Sequence, residues 1–198
     1  MRKFISGLVL GAGASQRFGE PKQLLPFAGT TLLGWVVSQT QKATALDELV
    51  VVLGRSAEEI RERVDFGDVR VVENRVFAEG CASSYRAGIG ALDARSEAMM
   101  IILGDQPGIT PSIIDRLADE WRRTEAPIAL CSYEGRKGHP MIFARTLYDQ
   151  LAGLHGDKAA WKLVDAVGPS VHELRLDIPF PKDINTREDF ERIAGTTS

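Results

Sequence analysis

A chain of 198 residues with a net charge of −3, 44% hydrophobic and 26% charged, is long enough for one sizeable core and is expected to form a single domain over residues 1–198. The charge balance, with no basic run, excludes a general nucleic-acid binder, and no segment reaches the roughly 20 apolar residues of a membrane span. Cys81 and Cys131 lie far apart without CxxC spacing, which argues against a disulfide framework or a zinc site and predicts a cytoplasmic protein.

The start, MRKFISGLVLGAG, has a charged head and an apolar stretch too short for a leader, so Phe4 to Leu10 reads as a first strand. It runs into Leu10 to Lys22, LGAGASQRFGEPK. Gly11 and Gly13 lack a Cβ, so the backbone can bend tightly there and present N–H groups to a phosphate. Arg17 and Lys22 have no apolar role and could supply positive charge to a triphosphate. The alternative is a plain turn with two solvated cations. Neither the Walker loop nor the dinucleotide fingerprint fits, since the Walker spacing is missing and Gln16 stands where GxGxxG needs its third glycine.

Thr30 or Thr31 can cap a helix carrying Leu32, Leu33, Val36 and Val37. Glu48 to Leu53 is a β-branched strand, Ser56 to Val64 a helix with a capping-box pair in Ser56 and Glu59, and Val69 to Glu73 a further strand. Asn74 to Gly80 lacks a period. Ala82 to Leu92 reads as a helix opened by Gly80, Cys81, Ala82, Ser83 and Ser84, where the hydroxyls either cap the helix or touch a substrate anion.

Ala98 to Leu103 is a buried strand that stops at Gly104-Asp105-Gln106-Pro107. In open α/β sheets that end carries the ligand crevice, so Asp105 is placed for metal or substrate, the alternative being a turn cap before Pro107. Pro111 to Thr124 forms a helix and Ile128 to Tyr133 a strand; Glu134 to Pro140 reads as a loop, followed by apolar Met141 to Phe143. His139, between glycine and proline, is expected to be a loop residue or a substrate contact rather than a packed core histidine. Helices at Arg145 to Leu151 and Lys158 to Ala166, a strand at Val171 to Leu176 and a helix at Arg187 to Ile193 complete the chain. The alternation predicts a mainly parallel central sheet with helices on both faces.

Three landmarks, LGAGASQRFGEPKQLLPF, LGDQP and DINTREDF, occur together, with NRVFAEGCASSYRAGI and RKGHPMIF between them. In combination they resemble the MobA-like nucleotidyltransferases, and especially the MocA-type branch that attaches CMP to molybdopterin, over Leu8 to Phe190. The resemblance implies a Rossmann-like nucleotidyltransferase fold, Mg2+, a nucleoside triphosphate and release of pyrophosphate. It puts Leu10, Gly11, Ala12 and Gly13 against the nucleotide, Lys22 on its phosphates, Asn74 near the nucleoside and Asp105 on the metal. Asn185 matches a second metal ligand, and Gly80, Ser83, Ser84 and His139 would face a phosphorylated acceptor.

Two departures stand out. The cytidylyl branch usually has LAAG and the guanylyl branch LAGG, whereas this chain has LGAG, which leaves the choice between CTP and GTP open. The branch often has Gly-Asp-x-Gly-Ala-Arg where this chain has GDKAAW, without the arginine. The expected chemistry is in-line attack by an acceptor phosphate on the α-phosphorus, with Arg17, Lys22 and Asp105 carrying catalysis. An ionised phosphate nucleophile needs no general base. Alternatives are a sugar 1-phosphate or another small phosphate ester as acceptor, or a carrier that hands cofactor to a molybdoenzyme or maturation partner.

Overall fold

The computed structural model describes residues 2–13, 15, 18–156 and 158–195. The chain begins with β1 (Ile5–Gly11), a small hairpin of β2 (Pro26–Phe27) and β3 (Thr30–Thr31), and α1 (Leu32–Gln41). β4 (Glu48–Leu53), α2 (Ala57–Arg63), β5 (Arg70–Glu73), α3 (Cys81–Ile89) and β6 (Ala98–Leu103) follow. The second half holds α4 (Pro111–Thr124), β7 (Ile128–Tyr133), β8 (Arg136–Ala144), α5 (Tyr148–Gly153), α6 (Ala159–Val167), β9 (Val171–Leu176) and α7 (Arg187–Ala194).

The main sheet has the order β5-β4-β1-β6-β8-β7-β9. All its pairings are parallel except the two made by β8. Successive strand residues point to opposite faces, and both faces are dry. Ile5, Val9, Val51, Met100 and Ile102 join one buried cluster with Leu33 and Val37 of α1, Ile60 of α2 and Ile114 and Leu117 of α4. Leu8, Val50, Val52, Met99 and Ile101 join the other with Ala82 and Tyr85 of α3, Leu151 of α5 and Leu163 of α6. Helices therefore cover both faces, as the alternation of strand and helix signals predicts.

Local chemistry sets the helix starts. Thr31 caps α1 by accepting from the Gly34 N–H, and Thr110 caps α4 with Pro111 in its first turn. Thr186 and Asp189 form the reciprocal capping box of α7. The box expected at Ser56 and Glu59 does not form, because Ser56 adopts φ −112° and ψ 35° and its side chain makes no capping bond.

The main difference from the sequence reading is β8. Glu134 to Pro140, expected as a loop, turns at Glu134 and Gly135 alone, both at positive φ (47° and 84°), and the chain returns at once as a strand. A two-residue turn of this hand matches the twist of an antiparallel pair. β8 then inserts between β6 and β7 through Met141 to Ala144, and the residues that look like a polar loop extend it as a strand along β7. The hairpin of β2 and β3, also unforeseen, turns at Ala28 and Gly29 with positive φ in the same way. Among the described residues no helix is long and apolar enough to cross a membrane.

Candidate active site

The carboxyl ends of β1, β4 and β6 meet at one edge, where the chain leaves β1 at Gly11, β4 at Leu53 and β6 at Leu103. The exit from β1 is flanked by two glycines. A Cβ on Gly54 would lie 2.5 Å from the Ala12 carbonyl oxygen, and one on Gly104 would lie 2.8 Å from that of Leu10, so only glycine lets the neighbouring chains approach the loop this closely. A cleft of about 710 Å³ opens above them.

One wall of the cleft is the glycine loop, contributing Leu10, Gly11, Ala12, Gly13 and Ser15. Buried Gln23 braces it: its Nε2 donates to the carbonyls of Gly11 (2.8 Å) and Gly13 (2.9 Å), and its Oε1 accepts from the Ser15 hydroxyl (3.1 Å). Those carbonyls are thus engaged on the protein side.

The opposite wall is a strand tip clipped to the segment before α7. The Ile184 N–H donates to the Asp105 carbonyl (3.0 Å), and Gln106 Nε2 donates to Asp183 Oδ1 (2.5 Å). Burial, and then the neighbouring Asp105 charge, raise the Asp183 carboxyl above its ordinary value. This clip brings Asn185, far away in sequence, to Asp105. The Lys22 ammonium bridges the walls, donating to Asp105 Oδ2 (2.5 Å), the Ile184 carbonyl (3.0 Å) and Asn185 Oδ1 (3.2 Å).

A carboxylate, an amide oxygen and a backbone carbonyl are the hard oxygen donors suited to Mg2+ or Mn2+. That a side-chain cation already gathers all three shows that they converge on a seat for positive charge. The donor set fits a divalent cation.

Of the residues expected on the nucleotide or its metal, Leu10, Gly11, Ala12, Gly13, Lys22, Asp105 and Asn185 share one cleft, whereas Asn74, expected near the nucleoside, does not line it. Arg17 lies outside the described residues. The acceptor group is divided. Gly80 and Ser84 line the cleft. Ser83 does not; together with Asn74 it ties β5 to α3, with Asn74 Nδ2 donating to the Ser83 (2.8 Å) and Ser84 (3.1 Å) hydroxyls and the Ser83 hydroxyl donating to the Gly80 carbonyl (2.7 Å).

His139 corrects the sequence reading outright. It sits in β8, only 8% exposed, its ring 6.1 Å from that of Trp161, and is a packed interior histidine away from the cleft lining. Burial, partly offset by Asp105, pushes its pKa down to about 4, so the ring is neutral at pH 7. Its Nε2 is buried without a hydrogen-bond partner.

Gln23, Ser15, Arg55, Phe77 and Cys81 also line the cleft and were not singled out as site residues from the sequence. Gln23 carried a usable signal, a lone amide before the apolar LLPF, whereas Arg55 at the tip of β4 had none beyond its charge.

The sequence model of the MobA-like NTP transferase domain matches residues 7–172. Nicotine blue oxidoreductase of Paenarthrobacter nicotinovorans is 32% identical over 165 residues, 79% of this chain and 79% of that protein. The crystal structure of Rv0371c from Mycobacterium tuberculosis H37Rv in complex with manganese superposes with a TM-score of 0.83 at 37% identity, over 98% of this chain and 99% of that one. A nucleotidyl transferase from Methanothermobacter thermautotroptrophicus superposes with a TM-score of 0.81 at 25% identity, over 98% and 97%.

Proposed function

The chain belongs to the MobA-like NTP transferase family, a family of nucleotidyltransferases, and from that premise we propose that it moves a nucleoside monophosphate, CMP in preference to GMP, onto a phosphorylated acceptor with release of pyrophosphate. The acceptor in this reading is molybdopterin or the molybdenum cofactor, the reaction runs in the cytoplasm, and the product passes to a molybdoenzyme or its maturation partner. The observation that carries the proposal is the single cleft shared by the glycine loop, Lys22, Asp105 and Asn185.

Both reactants are anions, so the site must first lower their repulsion. The N–H groups around Gly11 and Gly13 can hold the β- and γ-phosphates, helped by Lys22 and, in this reading, Arg17. Leu10 and Ala12 flank the nucleotide, and Asn74 fixes the start of α3 beside the nucleoside. Asp105 and Asn185 would hold Mg2+, and the manganese complex of the mycobacterial neighbour is consistent with use of a divalent ion. Bound Mg2+ supplies charge neutralisation at the α-phosphate and the leaving pyrophosphate. In this reading Gly80 and Ser84, which line the cleft, contact the acceptor, and Ser83, bonded to the Gly80 carbonyl, supports them.

The test is pyrophosphate release with CTP, GTP, ATP and UTP, with and without molybdopterin. Release that needs both CTP and molybdopterin supports the reading. Release with a sugar 1-phosphate in place of the pterin would reassign the acceptor, and tight nucleotide binding without release would make the chain a carrier. The nicotine blue oxidoreductase of Paenarthrobacter favours one further reading, an oxidoreductase. Oxidation of a reduced nicotinamide cofactor by an organic acceptor, in the absence of any triphosphate, would establish that instead.

A further inference from the structure

The Lys22 ammonium does more in this structure than wait for a phosphate. It donates to Asp105 Oδ2 at 2.5 Å, to the Ile184 carbonyl at 3.0 Å and to Asn185 Oδ1 at 3.2 Å, which are the three oxygens the divalent cation would use. Both partners of the ion pair are largely shielded, with 13% of the Lys22 side chain and 22% of the Asp105 side chain exposed. We propose that Lys22 is a place-holder for the metal: in the nucleotide-free protein its ammonium fills the cation seat, and the metal enters only when a triphosphate draws Lys22 away. This rests on the metal role proposed for Asp105 and Asn185.

The argument is one of charge and space. A divalent ion bound to these oxygens at about 2.1 Å would stand next to an ammonium bonded to the same carboxylate, and two cations that close repel strongly in a shielded site. Lys22 must therefore leave, and leaving costs it a charge-assisted bond to a carboxylate and two further hydrogen bonds. Water alone replaces those poorly for a side chain whose stem runs along the protein. A β- or γ-phosphate held by the glycine loop replaces them well, because Lys22 follows that loop in sequence and its flexible stem can swing from one anion to the other.

Metal and triphosphate then bind with positive coupling, and by linkage each raises the affinity for the other by the same factor. The free carboxylate is also protected from capturing a stray cation before the nucleotide arrives. Arg55 offers an internal control. It lines the same cleft at the tip of β4, carries the same charge, and is not among the donors to Asp105, Ile184 or Asn185.

The experiment is titration of Mn2+ alone into the nucleotide-free protein, followed by loss of the free-ion electron paramagnetic resonance signal. The intact protein is expected to bind Mn2+ weakly. Lys22→Met, which keeps the stem and removes the ammonium, should bind it about tenfold tighter or more, the scale of one hydrogen bond to a charged group. Lys22→Gln, measured alongside it, should also gain, while Arg55→Met should match the intact protein. Equal affinity in the intact protein and both Lys22 variants, or an equal gain in Arg55→Met, would overturn the exchange. Adding Asp105→Ala separates the two levels of the argument. If it abolishes binding in Lys22→Met, the seat is where it is placed here; if the double variant binds as tightly as Lys22→Met, the metal role of Asp105 fails and the place-holder fails with it.

Discussion

The two ends of the cleft are built on opposite plans. At the nucleotide end, the functional groups point into the cleft and the scaffold stands behind them: Gln23 holds the loop carbonyls, and the Asp183–Gln106 contact holds Asn185 near Asp105. At the acceptor end, the polar residues mostly hold one another. Ser83 is closed into a hydrogen-bonded knot with Asn74, His139 is buried in a strand, and of the residues expected on the acceptor Gly80 and Ser84 reach the cleft. On the proposed roles, the difference teaches that a triphosphate would be held by backbone and charge, whereas acceptor choice would rest on a few contacts that can change without disturbing that end.

The sharpest way to break this comparison is Asp105→Ala. On the proposed role, turnover should fall on the order of a hundredfold or more, the usual scale for losing a group that stabilises transition-state charge. Thermal stability should change little, because the Asp105 carbonyl still accepts from Ile184. Near-normal turnover would remove Asp105 from the metal role. Lys22→Ala should come next, with triphosphate affinity about tenfold weaker by calorimetry. An unchanged affinity would leave Lys22 only its bond to Asp105.

Asn74→Ala probes the hydrogen-bonded knot at the residue expected near the nucleoside. It removes two bonds inside the knot, so the protein should lose about 1–3 kcal/mol of stability in a denaturant titration. Triphosphate affinity should move less than twofold to threefold, about 0.5 kcal/mol. A large affinity change with intact stability would instead place the Asn74 amide on the nucleoside.

The smallest effect concerns His139. Its folded pKa of about 4 lies below the ordinary value of 6.5, so between those pH values the unfolded chain binds the proton that the folded one refuses. Stability is therefore fully present above pH 6.5 and is lost as the pH falls towards 4. Replacing His139 with Gln should flatten that part of the stability profile, and an unchanged slope would show that other groups set it.

Much of this fold is legible in sequence because its signals are local. β4, β6, α4, β7 and β9 fall at the residues where β-branched runs, Pro111 and glycine or acidic punctuation put them. β8 is not legible in the same way: RKGHP has the composition of a loop and becomes a strand because the tight turn returns it along β7, which pairs with Arg136, Lys137 and Gly138, while β6 pairs only from Met141 onward. The same contrast governs the site. Gly11, Gly13, Lys22 and Asp105 announce themselves through residue type at a strand end, and all reach the cleft. The inward turn of Asn74 and Ser83 and the burial of His139 depend on which elements pack together, and single residues carry no trace of that.

The claim on which the rest depends is that one cation and one polyphosphate meet between the glycine loop and the tip of β6. Anomalous diffraction from crystals grown with Mn2+ and a non-hydrolysable CTP analogue tests it directly. The predicted result is a single strong manganese peak between Asp105 and Asn185, in contact with a phosphate whose other oxygens lie against the N–H groups of Gly11 to Gly13. Manganese bound elsewhere, or phosphates seated away from that loop, would contradict it.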